Sequence, residues 1–344
     1  MLEKKKRRVP LLVKILAIFL VVAIVVPTVV FNISHVPGSL LIRAAFSLEP
    51  RTPPDEFNFT DLVDTVIDIS YGELEEEKLD LYTPKISVEN CPLIIWVHGG
   101  AFVGGDKKDV KYFAKALANN GYAVAVINYS LSPENEYPTP VYQLGKVYEF
   151  LKYKNYVNSD KINIDNIFFA GESAGAHIAS QFAILQTNVE YRESFLNRHN
   201  INLPDVIPSD VIKGLLLYCG PYSVDEIKSG THPLFLFMVW QAVWAYFGDR
   251  NATNNLELVA EADIIANVTE SFPPSFITDG NAVSFPEHGK KLSARLTELG
   301  VPVTDLFFDD FSERVIHMFQ FDLSKEAGQK SFEYSLEFLN KFRD

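Results

Sequence analysis

The chain has 344 residues, of which 47% are hydrophobic and 26 are Phe, with a formal net charge of −13. This size and apolar fraction suit one large α/β domain with insertions and a sizeable core. The acidic balance makes the chain a poor partner for nucleic acid or for an anionic membrane surface, and two cysteines are too few for a disulfide framework.

Lys4, Lys5, Lys6, Arg7 and Arg8 open the chain, and residues 1–9 read as a cytoplasmic basic segment. Ile15 to Phe31 holds no charge, and Thr28 is its one polar residue. Pro10 to Phe31 is about 22 residues, or roughly 33 Å at 1.5 Å per residue, enough to cross a bilayer. Lys14 can snorkel to the cytoplasmic side, and Pro27 is tolerable near the far end. Thr28 to Ser34 offers no small-residue cleavage site, so residues 10–33 read as a transmembrane signal anchor rather than a cleaved leader. The positive-inside rule then puts everything after residue 33 outside the cytoplasm. With the N-terminus cationic, the remainder is more acidic than the whole chain.

Residues 34–61 contain Pro37, Gly38, Pro50, Pro53 and Pro54 and read as a connector packing partly on the globular domain, 62–344. Val66–Tyr71 and Lys78–Tyr82 alternate apolar and polar residues, as half-solvated antiparallel strands do, and Glu73 to Glu77 between them reads as a solvated turn. A βα alternation follows. Strands are expected at 93–97, 122–128, 166–170, 214–219, 275–279 and 301–308, with helices near 109–119, 140–153 and 286–299. Short apolar strands alternating with amphipathic helices predict a doubly wound, mostly parallel sheet. Cys91 starts one strand and Cys219 ends another, which puts them on opposite sheet edges and predicts two free thiols.

Two stretches carry the chemistry. In Leu93-Ile-Ile-Trp-Val-His98-Gly99-Gly100-Ala101-Phe102-Val-Gly104-Gly105-Asp106 a strand runs into backbone stripped of side chains, where N–H groups can face a ligand oxygen. His98, at the strand end beside Gly99, reads as bracing this loop through a side-chain to backbone hydrogen bond rather than as a catalytic base. Further on, Gly171-Glu172-Ser173-Ala174-Gly175 joins the apolar strand Asn166–Ala170 to a helix carrying Ile178, Phe182 and Leu185 at helical spacing. Strand, G-x-S-x-G, helix is the context of a nucleophile elbow. The turn is sharp enough that a side chain at either flanking glycine would collide with the neighbouring strand or helix. The helix N-terminus behind Ser173 offers N–H groups to a developing negative charge.

HGGAF, then Asn128-Tyr129-Ser-Leu-Ser-Pro133-Glu134-Asn-Glu-Tyr-Pro138, then GESAGAH, in this order and spacing, resembles the α/β-hydrolase fold. The resemblance is to its carboxylesterase and lipase branch, similar to hormone-sensitive lipase and the bacterial feruloyl-esterase-like hydrolases, and covers about residue 62 to the C-terminus. It implies that Ser173 is the nucleophile and that the N–H groups of Gly100, Ala101 and Ala174 form the oxyanion hole. It implies that His317, in Val315-Ile-His-Met-Phe319, is the base. The other histidines have weaker claims: His177 supports packing one turn after Ser173, His35 lies beside the anchor, His199 and His232 sit in insertions, and His288 opens a surface helix. None has companions at metal-ligand spacing, so no metal and no cofactor is expected.

The acid is where the pattern breaks. Pro273-Pro274-Ser-Phe-Ile-Thr-Asp279-Gly280-Asn-Ala-Val283-Ser-Phe matches the family's strand, but Val283 stands where the family has aspartate. Asp279 is the first choice, although Asp-Gly also makes turns; Asp225, Asp309, Asp310 and Glu313 remain alternatives. The insertion 221–272 carries Tyr222, Phe235, Phe237, Trp240, Trp244, Tyr246 and Phe247, with 240, 244 and 247 on one helical face; it is either a cap-like lid or packing on the core. The insertion 186–212 is polar and reads as surface. The chain therefore reads as a membrane-anchored, extracytoplasmic serine hydrolase of small-molecule carboxylic esters; the alternative is a weak or inactive pseudo-hydrolase that binds a ligand or cell-envelope partner.

Overall fold

An eight-stranded sheet organises the chain in the order β1-β2-β4-β3-β5-β6-β7-β8. The computed structural model describes residues 10–47, 52–86, 90–153, 161–203, 206–224, 227 and 233–343. Lys4 to Arg8, Asp225 and His232 therefore lie outside the described residues. The strands are β1 (Val63–Ser70), β2 (Lys78–Pro84), β3 (Cys91–Val97), β4 (Ala123–Ile127), β5 (Ile162–Glu172), β6 (Ile212–Tyr218), β7 (Ser275–Asp279) and β8 (Val303–Phe307). The helices are α1 (Leu11–Ile33), α2 (Val36–Ala45), α3 (Lys111–Asn119), α4 (Thr139–Tyr153), α5 (Ala174–Thr187), α6 (Val189–His199), α7 (Pro233–Phe247), α8 (Leu256–Ala262), α9 (Ile264–Asn267), α10 (Pro286–Glu298) and α11 (Glu326–Phe342).

β1 and β2 pair antiparallel, as do β2 and β4, while β4, β3, β5, β6, β7 and β8 run parallel. The mostly parallel α/β-hydrolase sheet expected from the motifs is thus present. Successive residues of each inner strand feed opposite faces. The row Val126, Trp96, Ala170, Leu216, Phe276 is in register across five strands and packs under α3 and α11. The next row, Ile127, Val97, Leu217 and Ile277, belongs to the opposite core, under α4, α5 and α10. Chain order reverses between β3 and β5, so the loops after these strands diverge and leave a crevice at their carboxyl ends. Cys91 begins β3 and Cys219 follows β6, and both are buried free thiols.

Three features depart from the sequence expectations. Glu77, expected in a solvated turn, is buried, with its carboxylate on Lys146 Nζ and Gln143 Nε2. A charge this deep persists because those donors compensate its desolvation. The polar insertion 186–212 begins with α6, whose Tyr191 and Phe195 reach the core. The chain also ends in α11, which no expectation included. Its buried face alternates Phe332, Phe338 and Leu339 with Ser331 and Ser335, which dilutes the apolar period. Each large apolar side chain buried there contributes roughly 1.5–3 kcal/mol.

At the other end, α1 is 23 residues long with a mean hydropathy of 2.8, long and apolar enough to cross a membrane. Its last turn meets α7: the Phe31 and Phe237 rings lie 5.4 Å apart, and Gln241 Nε2 donates to the Phe31 carbonyl at 2.9 Å. The segment after α1, read as a connector, carries α2, whose Ile42 is buried with Val103, Ala242 and Ala245.

Candidate active site

β5 delivers the chain into a turn at Ser173 from which α5 departs at once. Ser173 has φ 53° and ψ −121°, a conformation disfavoured for a residue with a Cβ and found where surrounding structure enforces it. The enforcement is visible. A Cβ on Gly171 would lie 2.5 Å from the Gly175 carbonyl carbon, and one on Gly175 would lie 2.0 Å from the Val97 oxygen. Ser173 N–H donates to the Tyr218 carbonyl at 2.8 Å, fixing the turn to β6.

His317 comes from the loop after β8. That loop is held by Asn281 Oδ1, which accepts from Val315 N–H at 2.9 Å, and by Val315 O, which accepts from Ala282 N–H at 3.0 Å. The imidazole Nε2 lies 2.9 Å from Ser173 Oγ. Its other nitrogen, Nδ1, lies 2.7 Å from Ser284 Oγ, and the Ser284 hydroxyl in turn donates to Asp279 Oδ1. Asp279 ends β7, is fully enclosed, and also accepts from Gly280 N–H at 2.7 Å. The chain of bonds is therefore Ser173, His317, Ser284, Asp279. With Nδ1–H given to Ser284, Nε2 is left as an acceptor facing Ser173, the tautomer a general base requires. Burial lowers the His317 pKa to about 4, and burial raises Asp279 to about 7 against the bonds from Ser284, Cys219 and the backbone.

The remaining candidates for the acid sit elsewhere. Asp309 is exposed and pairs with Lys290 Nζ at 2.8 Å; Asp310 and Glu313 are exposed, and none of the three bonds to the imidazole among the described residues. Val283 has φ 51°, a left-handed conformation that is an outlier for a β-branched residue and easier for Asp. Potential ligand atoms of Cys219, Asp279 and His317 lie within 4.8 Å of one another, a grouping that sequence spacing does not show. Both His317 nitrogens already face hydroxyls, so the donor set fits a hydrogen-bond relay better than a metal centre.

The loop after β3 faces Ser173 from the other side. Gly100, Ala101 and Phe102 all have positive φ, at 120°, 56° and 63°, and a Cβ on Gly100 would overlap the Gly104 carbonyl at 2.0 Å. Ala174 is the first residue of α5, where N–H groups have no intrahelical partner. Glu172, the residue before Ser173, ties loop and elbow together: it accepts from Gly99 N–H at 2.5 Å and from Trp96 Nε1–H at 2.6 Å. Burial raises its pKa to about 8. His98 is buried, stacks on Tyr129, and places Nδ1 2.6 Å from the Gly99 carbonyl. Arg43 of α2 reaches the same loop. Its Nε donates to the Val103 carbonyl at 2.7 Å and its Nη2 to the Ser132 carbonyl at 2.9 Å, while the fork grips Glu134.

A cavity of about 70 Å³ lies against Ser173 and His317, walled by Phe102, Phe235, Val239 and Phe285. A larger cleft of about 670 Å³ also borders His317, beside Tyr112, Phe311 and Phe319, and Ser173 does not line it. Of the other histidines, His177 gives Nδ1 to the Pro221 carbonyl at 2.8 Å, His199 meets Glu261 at 2.6 Å, and His288 Nδ1 accepts from Ser223 N–H. None faces Ser173. Ser284, Glu172 and Arg43 are the site residues that sequence reasoning missed. Glu172 stands inside the G-x-S-x-G turn and could have been flagged as a carboxylate at a glycine-lined corner. Ser284 adjoins the anomalous Val283, whereas nothing in the sequence marks Arg43.

A kynurenine formamidase of Danio rerio is 32% identical over 168 residues, covering 48% of this chain and 49% of that one. A Mycobacterium tuberculosis protein named probable carboxylic ester hydrolase LipM is 23% identical over 217 residues, covering 62% and 47%. The chain thus spans about half the length of these relatives. Among solved structures, esterase B of Lactobacillus rhamnosis superposes with a TM-score of 0.70 at 19% identity, over 90% of this chain and 95% of that one, which speaks to the fold. The BD-FAE family profile matches residues 79–296, from β2 through the nucleophile elbow and the Asp279 strand into α10. With well over half its length matched and the eight-stranded sheet in place, the chain belongs to the BD-FAE family of α/β-hydrolases.

Proposed function

We propose that the protein is a serine hydrolase of carboxylic esters that works through an acyl-enzyme. The observation that carries this is Ser173 Oγ at the tip of a strained elbow, 2.9 Å from an imidazole nitrogen whose partner nitrogen is engaged. In this reading Ser173 Oγ attacks the ester carbonyl carbon as His317 Nε2 takes its proton. The carbonyl electrons move onto oxygen, opposite the N–H groups of Gly100, Ala101 and Ala174. The C–O bond breaks, the alcohol leaves with the proton from His317, and water repeats the sequence to free the acid. Asp279 acts through Ser284 to hold the imidazole and offset its positive charge. Ser173→Ala should abolish turnover of p-nitrophenyl esters and labelling by a fluorophosphonate without lowering thermal stability; retained turnover sinks the mechanism. An aryl formamide belongs in the same assay, since a formamidase is among the relatives.

In the same proposal α1 anchors the chain with the catalytic domain, from residue 62, outside the cytoplasm. Its length and hydropathy support a span, and the Lys4 to Arg8 cluster supports the orientation. Fractionation should find the full-length chain in membranes with its C-terminus open to external protease; a shortened soluble form refutes the anchor. A second reading, a pseudo-hydrolase, is favoured by one observation: among the described residues no carboxylate bonds His317 directly, Ser284 standing between it and Asp279. Absence of fluorophosphonate labelling in the folded chain would favour it.

A further inference from the structure

α7 carries fifteen residues without a charge and is apolar on both sides. One side, with Phe235, Met238, Val239, Ala242 and Val243, walls the cavity at Ser173. The other side is turned outward: Leu234 is 62% exposed, and Phe237 is half-buried against Phe31. A helix apolar all round is stable when both sides are covered, and water is a poor cover for the outer one.

The contacts of α1 indicate what covers it. Phe31 and Asn32 are in the last turn of the membrane-length helix. Phe237 packs on the Phe31 ring, Gln241 Nε2 bonds the Phe31 carbonyl, and Arg250 Nη2 donates to Asn32 Oδ1 at 2.9 Å. Whatever depth Phe31 has, the N-terminal half of α7 shares it. The Arg250 guanidinium also lies over the rings of Trp240 and Trp244, at 5.8 and 5.7 Å. Amphipathic Trp with a basic partner is the composition found at the headgroup level of a bilayer. Leu40 and Leu41 of α2, 55% and 60% exposed, follow α1 directly and add to the apolar surface beside it.

From this continuity we infer that α7 lies in the membrane interface and that the substrate is a lipid ester taken from the bilayer. The same helix is at once the membrane-facing surface and the wall of the nucleophile's cavity. An ester dissolved among lipid chains therefore reaches Ser173 across one helix, without passing through water. This inference rests on the anchored serine-hydrolase reading and adds the source and class of the substrate.

The test uses the full chain reconstituted in phosphatidylcholine vesicles. The chain has three Trp, of which Trp96 is fully buried in the core. Trp244 is 8% exposed and Trp240 half-buried, so lipid brominated near its carbonyl end should quench Trp240 and leave a residual emission from the buried Trp244 and Trp96. Vesicles carrying dioleoylglycerol should release oleate. Leu234→Glu, and separately Leu40→Glu, should lower oleate release at least about tenfold, the scale of moving one large apolar side chain out of an apolar phase. Turnover of water-soluble p-nitrophenyl acetate should stay unchanged. Absence of quenching, as when a second copy covers α7, overturns the inference. So does p-nitrophenyl acetate turnover without oleate release, or a failure of both variants to separate the two substrates; in these cases the hydrolase reading stands. Turnover of neither substrate by the unaltered chain removes both.

Discussion

The serine between His317 and Asp279 makes a quantitative claim. A carboxylate oxygen of Asp279 and a ring nitrogen of His317 lie within 4.8 Å. At an effective dielectric of about 20, unit charges at that separation interact by roughly 3.5 kcal/mol, so losing the carboxylate charge should cost turnover roughly 400-fold. That is less than the ~10⁴-fold associated with an aspartate bonded directly to the base. Ser284→Ala leaves the imidazole Nδ1–H facing no acceptor, a loss of about 1–3 kcal/mol, or roughly 5- to 200-fold. If Asp279 acts through Ser284, the double variant should cost little more than the larger single cost, rather than their product. The assay is kcat and KM on p-nitrophenyl butyrate at pH 8, above the raised Asp279 value so that the carboxylate is ionised. KM should move little, since the interaction matters once the imidazole is charged. Asp279→Asn within twofold of the unaltered chain, or multiplicative costs in the double variant, would refute the relay.

Other outcomes follow from the same geometry. Turnover should rise with pH through about 7, because burial keeps Asp279 protonated below that value while His317 is already neutral above about 4; a midpoint near 4 contradicts this. Stability moves the opposite way. The folded Asp279 pKa is raised, so the folded state holds a proton that the unfolded chain releases, and stability is lost as pH rises toward 7. Asp279→Asn should therefore gain relative stability with pH, by up to about 4 kcal/mol in denaturant titrations above pH 7, while turnover falls. Val283→Asp should relieve the left-handed backbone and raise Tm; higher turnover would mean the relayed acid is weaker than a direct one, and lower turnover that the relay is the evolved arrangement. Arg43→Ala should lower kcat about tenfold or more with KM little changed, as the loop carrying Gly100 and Ala101 loses the donor at Val103 O and its tie to the Ser132 carbonyl, and Arg43→Lys should recover part of it.

The sequence by itself determined the sheet and the elbow. Short apolar runs such as Leu93–Val97 and Ala123–Ile127 can be buried on both faces only in a parallel, helix-covered sheet, and the glycines at 171 and 175 admit one backbone path around Ser173. These are local constraints, written in consecutive residues. Glu77 and α11 escaped because their burial depends on partners remote in the chain: Lys146 neutralises a glutamate that looks solvated, and the sheet accepts a helix face diluted by serines. The surroundings of Asp279 show the same divide. Asp279 was legible as a strand-end carboxylate, yet a single sequence does not reveal that Ser284 would stand between it and His317, since that requires loops 280–284 and 311–318 to pack together. Arg43 lies 60 residues from Val103 and 91 from Glu134, and only the fold brings its guanidinium to the loop. The turn at Ser173 is fixed by sterics over five residues, whereas the support of His317 is fixed by distances between segments, which tertiary packing alone decides.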